Sequence, residues 1–173
     1  MPRFHLSLGS NVGDRARALE EAVERLRGAG LTVDRVSSIW ETQPVGEAAG
    51  PRWFFNAAAS GETALGPDRV LEICRSVENA MGRERAIPGG PRLIDIDLLM
   101  LGDVRLSRPG CEVPHPRMHQ RRFVLEPLCE IEPDAVHPVL GLTVERLLER
   151  VDDPHRVRSR GPLTGTASTA GPR

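Results

Sequence analysis

Neither lysine nor tyrosine occurs in the 173 residues, so all 23 basic side chains are arginine. Without lysine there is no Walker A loop, no Schiff base and no kinase-type lysine contact. Any phosphate handled by this chain must therefore meet arginine, metal ions or backbone amides. Cysteine is scarce and odd in number: Cys74, Cys111 and Cys129 show no CxxC spacing, which argues against a disulfide framework or a four-thiolate zinc site. No apolar run approaches the roughly 18 residues of a membrane span, and MPRFHLSLGSN lacks a signal-peptide pattern, so a cytoplasmic protein is expected. A formal net charge of −1 gives no general drive toward nucleic acid or anionic membrane. Aromatics make up only 3%, four Phe and two Trp, so each is worth testing as a stacking platform against the plainer alternative of core.

What is present is a chain of one-domain size with 39% hydrophobic residues, enough for a core. Its most informative stretch is GRERAIPGGPRLIDIDLLML, residues 82 to 101. A glycine and proline turn carrying Arg83, Arg85 and Arg92 leads into a strand with Asp95 and Asp97. Residues two apart on a strand share a face, about 6.7 Å apart along the backbone, so both carboxylates address one spot. Alternation puts Ile94, Ile96, Leu98 and Met100 on the opposite face and continues the carboxylate face with Leu99 and Leu101. Two like charges at that spacing call for a cation, and oxygen-only ligands favour a hard ion such as Mg²⁺. Metal beside arginine points to a polyphosphate; the alternative is a solvated strand face with ordinary surface partners.

Elsewhere, Phe4, Leu6 and Leu8 alternate as a first strand, broken by GSNVGD before a helix whose Leu19, Ala22, Val23 and Leu26 recur at helical spacing up to Gly28 and Gly30. Residues 31 to 42 read as extended, and FFNAAASGET as another strand. A second helix starts at Pro67, buries Val70, Leu71, Cys74, Val77 and Met81, and stops at Gly82. After the DID strand come a turn at Gly102 and Asp103, a short strand VRLS, a proline-rich connector, and short helices over 122 to 130 and 143 to 150. This order predicts an α+β, ferredoxin-like sandwich: an antiparallel sheet with helices packed on it. Residues 1 to 154 are expected to form the domain and 155 to 173, rich in Gly, Pro, Ser, Thr and Arg, a disordered tail.

In order, LGSNVGD, ETQPVG, FFNAA, GRERxxxxGPRLIDIDLL, VPHPRM and RRFVLEPL resemble the 6-hydroxymethyl-7,8-dihydropterin pyrophosphokinase family over residues 4 to about 138. The resemblance implies transfer of pyrophosphate from ATP to the pterin hydroxymethyl group in folate biosynthesis, with two Mg²⁺ ions. It implies that Asp95 and Asp97 hold the metals and that Arg83 and Arg92 neutralise charge on the migrating group and on AMP. Arg85, Glu78, His115 and Arg121 correspond to nucleotide-side positions, Glu78 having the alternative of a local cap or pair. Asn56, with donor and acceptor, corresponds to the group reading the pterin edge, and Phe54 and Phe123 to the rings that sandwich it. The backbone from Thr42 to Val45 corresponds to a further pterin-edge contact. Phe55 is the better core candidate, and Trp53 has no assignment.

The pattern has departures. Pro88 and Gly89 stand where many relatives carry a basic residue and an aromatic, Arg75 where some have glutamine, and Glu112 where some have threonine. Two other classes are alternatives. Nucleotidyltransferases also pair Gly-Ser with Asp-x-Asp, but close in sequence, whereas Gly9 and Ser10 lie far upstream of Asp95. A non-catalytic ferredoxin-like module would leave the paired acids without a purpose. Cys111, His115 and His119 at four-residue spacing are too few for a zinc site. The expected partners are ATP and the pterin, with no nucleic acid and no membrane, acting on a monomer.

Overall fold

The computed structural model describes residues 1–44, 52–82 and 93–164. Chain order is β1 (Arg3–Ser10), α1 (Arg15–Gly28), β2 (Thr32–Val36), β3 (Ile39–Thr42), β4 (Phe54–Glu62), α2 (Pro67–Ala80), β5 (Asp95–Leu101), β6 (Leu106–Arg108), β7 (Cys111–Val113), α3 (Arg122–Ile131), α4 (Val144–Arg150) and β8 (Val157–Gly161). The main sheet runs β5-β1-β4-β3-β8, with β2 also on β4, and every pairing is antiparallel. Together β2 and β3 occupy one strand position along β4, which completes the ferredoxin-like order. That fold class agrees with the sequence expectation.

Local chemistry sets the elements. Asp14 caps α1 by accepting the Arg17 amide at 3.1 Å, and Thr143 does the same for Arg146 at the start of α4. Pro67 opens α2 where its missing N–H costs nothing, and Gly82, at φ 82°, ends it. Gly61 is needed at the sheet's tightest approach, because a Cβ there would lie 1.8 Å from the Thr32 carbonyl oxygen.

The sheet has two unlike faces. On one, Phe4, Leu6 and Leu8 of β1 join Ala57 and Ala59 of β4 and Ile96, Leu98 and Leu101 of β5 beneath α1 and α2. On the other, Ala58, Leu99 and Met100 pack with Met118, Val124, Leu125, Leu128, Val144 and Leu147 from the α3 and α4 layer. Alanine at three successive β4 positions lets both helical layers approach the central strand. Burying each large side chain contributes about 1.5 to 3 kcal/mol.

Three expectations change. The register shifts between His5 and Leu6, which pair with Met100 and Leu98, so Leu99 is an extra residue in a β-bulge. Met100 therefore turns toward α3 and α4, and Leu101 toward α1 and α2, the reverse of simple alternation. The expected VRLS strand forms two residues later, as Leu106–Arg108, hairpinned with β7 in the connector. Finally, the segment expected to be disordered from residue 155 contains β8, paired with β3, and Leu163 is buried in the first core. Glu41 explains the strand: it accepts the Arg158 Nε–H at 2.9 Å and lies 3.4 Å from Arg160.

Candidate active site

The bulge comes after Asp97, so alternation still holds at the start of β5 and both Asp95 and Asp97 face the α3 side, half-buried. Buried Ile96 between them faces α1 and α2. As an edge strand, β5 has amides that β1 does not satisfy. Glu78 on α2, only 2% exposed, accepts the Ile96 N–H at 2.8 Å and so fixes the backbone between the two acids. This bond ties α2 to β5.

Across the sheet, one row runs Trp40, Asn56, Gly9, Asp95 through β3, β4, β1 and β5. The neighbouring row sets Ser7 between Ala58 and Asp97. Asn56 is buried and donates from Nδ2 to the Thr42 hydroxyl at 2.7 Å. Phe54, two residues earlier on the same face, is half-buried, with Cδ1 3.8 Å from where a Gly9 Cβ would be. Phe55 points the other way, into the first core, with the Arg15 guanidinium 3.8 Å from its ring centre. Its expectation as core holds.

The far side of the acids is cationic. The His115 amide donates to the Leu99 carbonyl at 2.8 Å, anchoring the VPHP turn along the β5 edge. Burial, reinforced by Arg121 and Arg117, pushes the His115 imidazole down to about 4, while Asp95 opposes the shift. Arg121, at the start of α3, has its guanidinium pKa lowered by burial and by Arg117, and Asp97 and Asp95 pull it back up. These couplings put His115 in the field of Asp95 and Arg121 in the field of both aspartates, with Arg117 acting on His115 and Arg121. A partly desolvated guanidinium facing carboxylates is suited to a phosphate oxygen. Phe123 follows on α3, half-buried, its ring centre 5.6 Å from the Arg121 guanidinium carbon.

The structure thus brings together Asp95, Asp97, His115 and Arg121 at one end of a face, and Asn56, Thr42 and Phe54 at the other. Arg83, Arg85, Arg92 and Val45 lie outside the described residues, as do Pro88 and Gly89. Arg75 is spent on the Gly110 carbonyl at 2.8 Å, and Glu112 is exposed. His119 packs edge-on against His137, ring centres 6.0 Å apart, and among the described residues no three His, Cys, Asp or Glu are grouped to hold a metal. Two neighbours of these residues escaped the sequence reading. Arg117 stood inside VPHPRM without assignment, and Gly9, glycine within a strand, was the available signal of a close approach.

Residues 5–133 match the family described as 7,8-dihydro-6-hydroxymethylpterin-pyrophosphokinase (HPPK). The chain is 42% identical over 153 residues to the 2-amino-4-hydroxy-6-hydroxymethyldihydropteridine pyrophosphokinase of Methylorubrum extorquens, covering 88% of this chain and 95% of that one. It is 36% identical over 149 residues to the folic acid synthesis protein fol1 of Pneumocystis carinii, covering 86% of this chain but only 20% of the fungal protein. Among solved structures, the HPPK-DHPS of Plasmodium falciparum superposes with a TM-score of 0.67 at 15% identity, over 86% of this chain and 45% of the other. At that identity the likeness concerns the fold.

Proposed function

The chain belongs to the 7,8-dihydro-6-hydroxymethylpterin-pyrophosphokinase family, and on that premise we propose that it transfers pyrophosphate from ATP to 6-hydroxymethyl-7,8-dihydropterin, giving AMP and the pterin diphosphate. The observation that carries this reading is one sheet face holding a paired-carboxylate, arginine-flanked end and an amide-and-ring end, joined through Gly9.

Asp95 and Asp97 supply only oxygen donors, half-buried on one face, which fits a hard divalent ion sharing its coordination with phosphate and water. They would hold Mg²⁺, in the proposal two ions, and bound metal supplies charge neutralisation and a lowered pKa for the attacking hydroxyl. Glu78 acts on the nucleotide side by holding the Ile96 amide and thereby the spacing of the pair. Arg121 and His115 line the nucleotide side, Arg121 as a fixed cation and His115 as a neutral ring at pH 7. Asn56 reads the heterocycle edge, Phe54 and Phe123 stack on it, and Thr42 with Val45 completes the edge contact. Arg83, Arg92 and Arg85 complete the charge stabilisation.

In the reaction the hydroxymethyl oxygen forms a bond to the β-phosphorus as the bond from that phosphorus to the α,β-bridging oxygen breaks. AMP leaves with that oxygen, and the hydroxyl proton passes to solvent. Holding two substrates in line on one rigid sheet is the main contribution such a protein makes. ATP and the pterin are the partners, a single copy is the working unit, and the cytoplasm is its place. No helix among the described residues is long and apolar enough to cross a membrane.

Phosphorus NMR of the protein with ATP, Mg²⁺ and the hydroxymethyl dihydropterin tests the reading. AMP and a diphosphate ester should appear together. Free pyrophosphate with an adenylylated product would mean nucleotidyl transfer instead, and no nucleotide turnover would leave a binding module.

A further inference from the structure

Gly9 lies within β1 at the centre of the face, opposite Asn56 on one strand and Asp95 on the other. A Cβ at this position would lie 2.8 Å from Asn56 Oδ1, inside the distance real contacts tolerate. The amide oxygen therefore rests over the bare backbone of β1. The other end of the same amide is fixed: Nδ2 donates to Thr42 Oγ1 at 2.7 Å, with Thr42 2% and Asn56 3% exposed. From these contacts we infer that Thr42 and Gly9 are positioning residues, the hydroxyl pinning one edge of the Asn56 amide and the missing side chain admitting the other.

The pin acts on one substrate only. The Asn56 and Asp95 backbones are two strand spacings apart, about 9.6 Å, and the Asn56 side chain is tied to Thr42 on the strand away from Asp95. An amide free to rotate presents its donor and acceptor in many orientations, whereas one with a fixed plane presents a single pattern to a heterocycle edge. The hydroxyl of Thr42 thus serves heterocycle recognition through Asn56, separately from any contact made by the Thr42 backbone. This deepens the pterin reading and rests on it.

The test compares the full-length parent with Thr42→Val, Thr42→Ser and Gly9→Ala, measuring kcat, the KM for pterin and for ATP, and thermal midpoint. Valine keeps the shape and removes the hydroxyl, so the pterin KM should rise roughly tenfold while the ATP KM stays within about twofold. Serine restores the acceptor and should return the pterin KM to within about twofold of the parent. Gly9→Ala should raise the pterin KM at least as much as valine does. Should Gly9→Ala fail to fold, the valine and serine pair alone decides. A parental pterin KM in Thr42→Val, an equal rise for ATP, or no rescue by serine overturns the inference. A parent that turns over no pterin sinks the proposed activity first, which is a different result.

Discussion

The two faces of β1 are made by alternate residues of one strand and do opposite things. Phe4, Leu6 and Leu8, all fully buried, meet only the apolar layer of α1 and α2. His5, Ser7 and Gly9 face the α3 layer, where the sheet also carries Asn56, Ser60, Asp95 and Asp97. The first face is predominantly apolar and stabilises. The second gives up apolar burial to hold polar and charged groups, and it has a polar frame: Glu132 accepts from Ser60 at 2.7 Å and pairs with Arg3 at 2.8 Å. Stability and chemistry are thus divided by side-chain parity within a single strand, and substitutions should divide the same way.

The largest effect should come from Asp97→Ala. Turnover should fall by at least about a thousandfold, on the order of 4 kcal/mol in the barrier, while the thermal midpoint holds or rises slightly as like-charge repulsion is relieved. Steady-state kinetics beside calorimetry checks both halves. A midpoint collapse in step with activity would erase the division of faces. Leu6→Ala, one residue from His5 but on the other face, should lose about 2 to 5 kcal/mol of stability by urea unfolding. Its folded fraction should keep the parental kcat.

That parity is also why much of the molecule was legible beforehand. Phe4, Leu6 and Leu8, the capped and glycine-ended helices, and the position of Asp95 and Asp97 follow from local period and turn chemistry. Met100 and Leu101 did not, because the bulge that exchanges their faces depends on how β5 meets His5 and Leu6 of another strand. Nor did β8: an arginine-rich stretch has the composition of a tail until Glu41, more than a hundred residues away, supplies the partner. At the site, residue type and strand spacing singled out the two acids, and the family resemblance singled out Asn56. They could not reveal that Gly9 matters through the volume it leaves empty.

His5 offers a smaller effect that tests the polar face from within. It is 6% exposed, and neither ring nitrogen finds a hydrogen-bond partner among the described residues. Burial, with Arg3 adding, pushes it from 6.5 down to about 4, while Glu132 opposes the shift. The unfolded chain therefore binds more protons than the folded one between those values. The neutral ring's contribution is fully present above about pH 6.5 and is lost as pH falls toward 4, a change on the order of 3 kcal/mol. His115 has the same sign and window, so the two must be separated: His5→Gln should flatten part of the slope in urea unfolding across pH 4 to 7, and His115→Gln another part. A parental slope in His5→Gln would show that the imidazole is not held neutral.

The smallest effect belongs to Glu41, a carboxylate that intrudes on the apolar face. Glu41 pairs in register with Phe55, whose ring packs into the α1 and α2 core, and its own side chain is only 9% exposed. Arg158 reaches it at 2.8 Å, with Arg160 at 3.4 Å and Arg15 at 3.7 Å. Since Arg158 is itself 60% exposed and two other cations remain, Arg158→Ala should cost about 1 kcal/mol or less, some 2 to 4 °C in a domain of this size. The loss should be local: hydrogen exchange over 157–161 should accelerate while amides of β1 and β4 keep their protection, with kcat unchanged. If β1 exchanged faster as well, β8 would be a cooperative part of the sheet, and the apolar face would depend on a buried charge after all.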